Sequence, residues 1–255
     1  MSNILCYWWN TKPNVGDALN PYILKHLTNK NIIRLNDLHN NDTHLFMIGS
    51  ILNRINSNSI VWGTGAMYSN IKFNNIKPII HAVRGPLTRK VLLNNNIDCP
   101  TIYGDPALLT SKFYKTNITK KYKIGLIPHY VDFNNKFILK YKHDNNIKIL
   151  NIATTNIVEF INSMLECEII ISSSLHGLIL ADSFNLKSYW IKLSNLICGG
   201  DFKFIDYYNS IHRNITEPII INNTTNIYDI INIKNDTTFD IDLELLYETR
   251  PKTYL

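Results

Sequence analysis

His176 lies in a run, EIIISSSLHGLILAD from Glu168 to Asp182, whose residue types and order suit chemistry. Residues 169–171 read as a buried parallel strand, and 177–181 have the apolar content of a helix packed on a sheet. Three serines and the histidine fill the junction. In an open parallel sheet that junction is the carboxyl edge, where ligands bind. The helix behind it offers unpaired N–H groups and a positive dipole end to an anion. An imidazole, with a reference pKa of about 6.5, both gives and takes a proton near neutrality. The alternative is structural: serines that cap a helix and a histidine satisfied within its first turn.

Three further strand ends collect polar or glycine residues: Asn14-Val15-Gly16-Asp17, Gly63-Thr64-Gly65 and Arg84-Gly85-Pro86. Parallel strands put their carboxyl ends on one edge, so these groups are expected to converge with Ser174, Leu175 and His176 on one crevice. Glycines there let backbone approach a ligand closely, although each alone also fits a tight turn. Arg84 can pair bidentately with a carboxylate or phosphate. A cation at the start of a helix opposes the helix dipole unless an anion is bound beside it. Asp17 is placed to orient or deprotonate a hydroxyl, or else to cap a helix. His129, in IPHY, faces the same crevice or is a loop histidine bonded to backbone.

The elements that must position these groups follow a βα rhythm. Strands are expected at 4–9, 45–48, 60–62, 79–83, 101–103, 123–127, 147–152, 169–171, 188–193 and 218–221. Helices are expected at 18–27, 86–93, 156–165 and 202–211, with a helical tail near Tyr228 and Leu243. The rhythm restarts after a polar, Lys/Thr-rich stretch at 111–122. A domain boundary is placed there, giving an N-terminal unit 1–118 and a C-terminal unit 119–255 that carries the tail. The fold class is α/β: two Rossmann-like domains whose parallel sheets face a cleft.

Composition excludes several classes. With 255 residues, 45% hydrophobic, 11% aromatic and 18% charged, the chain is globular rather than disordered or fibrous. The net charge of +6 is uneven: residues 1–118 hold 12 basic and 5 acidic residues and no Glu, the remainder 14 and 15. The lysines are scattered, only Arg84, Arg89 and Lys90 lie close together, and no nucleic-acid motif is present, so a small anionic substrate explains the surplus better than nucleic acid. Cys6, Cys99, Cys167 and Cys198 form no CxxC pair, which implies free thiols in a reducing compartment and a reaction without a metal. The N-terminal apolar run is too short for a signal peptide, and no stretch approaches the ~20 residues of a membrane span. A soluble, cytoplasmic protein is expected.

Taken in order, NVGDALN, WGTGA, VRGPLTRKVL, YGDPALL, IPHY and SSSLHGLILAD resemble the polysaccharide pyruvyl transferase family. The resemblance runs from about Cys6 to Trp190; VRGPLT and the Ser-Leu-His-Gly strand end are its specific pieces. It implies a fold similar to the two-domain, GT-B-like glycosyltransferases. It also implies phosphoenolpyruvate as donor substrate with no other cofactor, a sugar or polysaccharide acceptor, and a pyruvyl ketal as product. On this reading His176 and Asp17 are catalytic, and Arg84, Ser174, Leu175, Gly16, Asn14, Gly63, Gly65 and His129 bind substrate. One departure stands out. Some members carry Arg directly before the Leu-His pair, where this chain has Ser174, so another cation is needed, with Arg89, Lys187 or Lys192 as candidates. The competing readings are a nucleotide-sugar glycosyltransferase of the same fold, with Asp105 or Glu166 as base, and a non-catalytic carbohydrate-binding relative. The sequence carries no signature of oligomeric state.

Overall fold

The computed structural model describes residues 3–36 and 41–255. Among the described residues, ten strands lie in two five-stranded sheets, paired parallel throughout. The first sheet contains β1 (Asn3–Tyr7), β2 (Asn31–Arg34), β3 (His44–Phe46), β4 (Ser59–Trp62) and β5 (Ile79–Ala82). The second contains β6 (Tyr122–Ile127), β7 (Ile147–Ile149), β8 (Cys167–Ser172), β9 (Lys187–Lys192) and β10 (Ile219–Ile220). The helices are α1 (Val15–Leu27), α2 (Pro86–Leu93), α3 (Thr110–Phe113), α4 (Lys136–Lys140), α5 (Ile157–Leu165), α6 (Leu175–Ser183), α7 (Phe202–Ser210), α8 (Ile227–Ile230) and α9 (Leu243–Glu248). None of the described helices is long and apolar enough to cross a membrane.

The two sheets share one winding. Their orders are β2-β1-β3-β4-β5 and β10-β9-β8-β6-β7. Read from the opposite edge, the second repeats the succession of the first, the 2-1-3-4-5 order of doubly wound sheets. In that order the chain reverses direction across the sheet between its first and third strands, and a crevice opens outside their carboxyl ends. Here that happens twice, between β1 and β3 and between β6 and β8.

Local sequence explains the elements. β4, buried at all four residues, lies in the sheet interior and is apolar from Ile60 to Trp62, with the buried Ser59 hydroxyl bonded to His44. Asn14 caps α1 by accepting the Gly16 N–H at 2.8 Å. Within α1, Pro21 has no N–H for the Asp17 carbonyl, and the side-chain amide of buried Asn20 donates to that carbonyl instead, at 3.1 Å. Asn20 also donates to the Ile48 carbonyl and accepts the Ile48 N–H, which fastens α1 to the end of β3.

The halves are joined by apolar packing and by polar contacts, among them a wholly buried clasp. A single cluster runs from Cys6, Val15 and Trp62 in the first half to Ile127, Phe160, Ile170 and Leu180 in the second. Smaller clusters cover the outer faces, around Phe46, Val61 and Val91 on one side and Leu126, Ile171 and Tyr189 on the other. The last residues return to the first half: the Trp62 indole donates to the Leu246 carbonyl, and the Tyr254 hydroxyl joins the Leu5 backbone. The clasp is Asp206 of α7. Its carboxylate accepts Arg84 Nε at 3.0 Å, the Thr88 N–H at 2.9 Å and the Thr88 hydroxyl at 2.6 Å, so a residue of the second half caps α2 of the first. Gly85 admits the helix, since a Cβ there would lie 2.0 Å from the Asp206 carbonyl oxygen.

The expected strand at 101–103 is a single bridge between Val83 and Tyr103, whereas β2 and α4 are elements not anticipated. The clasp yields a prediction. Asp206→Ala leaves a buried guanidinium uncompensated and is expected to cost about 3–5 kcal/mol, read from the midpoint of urea unfolding; a loss below about 1 kcal/mol would show that the pair does not hold the halves together.

Candidate active site

A cleft of about 310 Å3 opens where the two reversal points face each other. Trp9, Asn14 and Asp17 follow β1, and Gly49, Ser50 and Arg54 follow β3. His129 and Tyr130 follow β6, and Ser174, Leu175 and His176 follow β8. Met67, Cys198 and Lys203 complete the wall from the chain after β4 and β9. Four strand ends, two from each sheet, thus build one site.

His176 lies in the first turn of α6, whose start no side chain caps. Its Nε2 is 3.7 Å from Oδ2 of Asp105, a wholly buried residue whose other oxygen accepts the Ala107 N–H. Both of the facing atoms are buried without another hydrogen-bond partner. A proton on Nε2 serves both once they close by a fraction of an ångström, which leaves Nδ1 outside that pair. The ring approaches the opposite half closely: a Cβ on Gly16 would lie 2.1 Å from Nδ1. Gly16 thus makes room for the imidazole.

The carboxylate of Asp17 completes the α1 side of the cleft. Burial pushes its pKa up to about 6, against the opposing pull of His176 and of the Trp9 N–H that it accepts. His129 is held neutral, pushed down to about 4 by burial, then by Lys203 and His176. Its Nδ1 accepts the Val131 N–H, so Nε2–H is the donor it offers to the cleft.

Several expectations are corrected. Arg84 does not reach the cleft: it is 0% exposed, and its guanidinium is consumed by Asp206, the Ser50 hydroxyl at 2.6 Å and the Ala66 carbonyl at 2.7 Å. It supports the wall through Ser50 and cannot grip a donor directly. Gly65 serves that arrangement, because a Cβ there would fall 2.1 Å from Arg84 Cζ. Gly63 takes a φ of +95° and packs on Pro106, away from the cleft. Asn14 lines the cleft but spends its side-chain oxygen on the α1 cap. Of the serine run, Ser172 and Ser173 bond to backbone, Ser172 to the Ile127 and Ser174 main chain and Ser173 to the His129 N–H, and only Ser174 reaches the cleft.

A buried cation lines the cleft at a position the sequence did not signal. Lys203, on the first turn of α7, lines the cleft while 8% exposed, with its ammonium donating to the Cys198 carbonyl at 2.9 Å. Burial, reinforced by the nearby Arg84, lowers its pKa to about 8, which leaves it charged at neutral pH. The three alternatives are used elsewhere: Arg89 donates to the Cys99 carbonyl, Lys192 pairs with Asp201 and Lys187 begins β9 at the far edge of the sheet. The bases proposed for a glycosyltransferase are no better placed. Asp105 has no exposed surface, and Glu166 lies at the amino end of β8, paired with Lys121 and Lys148.

Comparison with known proteins agrees with this order of parts. A family model for polysaccharide pyruvyl transferase matches residues 14–195. The chain is 30% identical over 243 residues to "Uncharacterized protein L143" of Acanthamoeba polyphaga mimivirus, covering 91% of this chain and 83% of that protein. It is also similar to the crystal structure of a functionally uncharacterized protein, KP1_0663, from Klebsiella pneumoniae subsp. pneumoniae NTUH-K2044, at a TM-score of 0.45 and 15% identity over 87% of this chain and 93% of that one. The family match runs from the start of α1 through β9 and takes in the His176 strand end: the chain belongs to the polysaccharide pyruvyl transferase family.

Proposed function

We propose that the chain transfers the pyruvyl group of phosphoenolpyruvate to two hydroxyls of one sugar unit as a ketal, releasing inorganic phosphate. The observation that carries this reading is the joining, in one small cleft, of a buried cation, an imidazole backed by a buried carboxylate, and a second carboxylate of raised pKa. Phosphoenolpyruvate presents a carboxylate and a phosphate on a three-carbon skeleton. Lys203 supplies the charge, the uncapped start of α6 supplies backbone donors, and Ser174 and neutral His129 supply directed hydrogen bonds.

The chemistry then needs protons moved in turn. The enol π electrons take a proton at the methylene carbon, the first sugar hydroxyl adds to the adjacent carbon, and the hydroxyl gives up its proton. The C–O bond to phosphate then breaks with both electrons leaving on phosphate, and the second hydroxyl of the same sugar adds in its place. One hydroxyl proton ends in the new methyl group and the other on phosphate, so the exchange balances without a redox partner. His176 is the group proposed to deliver the proton to carbon, with Asp105 holding its far nitrogen. Asp17, on the opposite wall, is proposed to accept the hydroxyl proton.

Two outcomes test these roles. Phosphoenolpyruvate at about 100 times its dissociation constant is expected to stabilise the protein by about 2.7 kcal/mol in a thermal-shift titration. Lys203→Ala is expected to weaken that binding at least tenfold, whereas His176→Ala preserves binding and lowers phosphate release by about 10²–10⁴-fold; phosphate release within a few-fold of wild type in His176→Ala would overturn its assignment. Asp17 also gives a pH signature. Because its folded pKa is raised above the unfolded value of about 3.9, its ionisation burdens the fold fully above about pH 6 and not at all below about pH 4. Asp17→Asn is therefore expected to raise the melting temperature at pH 7.5, with the gain fading as pH falls from 6 to 4. A gain independent of pH would contradict this.

A further inference from the structure

The cleft wall combines Lys203, His129 and Asp17 with two large aromatic rings, Trp9 and Tyr130. One follows β1 and the other β6, so they come from opposite halves, and both are half-buried in the cleft wall. Their ring centroids are 6.5 Å apart and their planes differ by 17°. The Lys12 ammonium lies 5.4 Å from the Tyr130 centroid, and the backbone N–H of Trp9 bonds to the Asp17 carboxylate, which sets Trp9 next to the proposed base in the cleft wall.

We propose that Trp9 and Tyr130 are the acceptor subsite, a platform on which the C–H face of a pyranose packs while its hydroxyls turn towards Asp17 and His176. The inference rests on the pyruvyl transfer reading and names the part of the site that holds the sugar. A pyranose has weakly positive C–H groups on its faces and hydroxyls around its rim. Aromatic faces carry the complementary negative quadrupole, and rings with two side-chain torsions are ordered at small entropic cost. The anionic donor is drawn to the buried charge of Lys203, which leaves the aromatic surface to the sugar. A nucleoside diphosphate would also stack, but its phosphates would meet the Asp17 carboxylate, which repels them and accepts sugar hydroxyls instead.

The test separates this subsite from the donor assignment. Saturation-transfer NMR with methyl gluco-, galacto- and mannopyranosides, run with inorganic phosphate present, reads saccharide binding on wild type, Trp9→Ala, Tyr130→Ala and Trp9→Phe. Thermal shift with phosphoenolpyruvate reads donor binding and the folding of each variant. At least one glycoside is expected to receive saturation on the C–H protons of one ring face. The signal is expected to fall at least fivefold in each Ala variant and to survive in Trp9→Phe, with the phosphoenolpyruvate shift equal in all four proteins. Unchanged saturation in both Ala variants, no saturation of any of the three glycosides by wild type, or displacement of the glycoside by uridine diphosphate would each overturn the proposal. A wild-type protein that ignores phosphoenolpyruvate yet shows Trp9-dependent glycoside binding would instead defeat the donor reading and leave the subsite standing.

Discussion

The pairing of Arg84 with Asp206 is the constraint on which the site depends. Both side chains are wholly buried, so desolvation takes back most of the Coulomb attraction, and the pair is worth keeping for what it positions more than for its net energy. Through Thr88 it caps α2, through Ser50 and the Ala66 carbonyl it fixes two loops behind the cleft, and through α7 it sets the helix that carries Lys203. Lys203 and Asp206 are neighbours on one helix face, three residues apart. A single clasp thus places the cleft's buried cation, and the Arg84 charge within it still reaches Lys203.

The repeated 2-1-3-4-5 winding explains why the cleft lies where it does. A single sheet of this order offers one crevice with a floor and no roof. Two of them set with their reversal points facing each other give a site in which each half supplies a helix start, a polar strand end and an aromatic ring. Asp17 and Trp9 answer His176 and Tyr130 across the gap. The close fit of Gly16 against His176 shows how little space separates the halves there.

Much of this was legible because parallel strands write themselves as apolar runs ending in turn residues. The α2 span 86–93 matches its expectation to the residue, as Pro86 at the first helical position fixes the start. The His176 junction was legible for the same reason. β2 was not: it is a four-residue edge strand with alternating exposure, too short to stand out in an Asn- and Ile-rich chain. Arg84 is the instructive case. A guanidinium at a helix start does demand an anion, but the anion is a carboxylate 122 residues along the chain rather than a ligand, and no local pattern announces so distant a partner. Lys203 was hidden similarly, since a lysine in an amphipathic helix reads as a solvated face until tertiary packing buries it.

The shared inner core also limits how the site can work. Because one apolar cluster continues from the first sheet through α5 and α6 to the second, opening the halves widely would expose a packed interior, and an interface of that kind resists the domain motion that smaller polar interfaces allow. The returning tail, joined to Trp62 and Leu5, adds a second tie across the same gap. Under the transfer proposed above, a polysaccharide would present a projecting sugar unit to this cleft of about 310 Å3 rather than be clamped by a large closure around its middle. A cleft formed in advance loses little ordering entropy on binding, which suits the proposed alignment of two hydroxyls on one carbon.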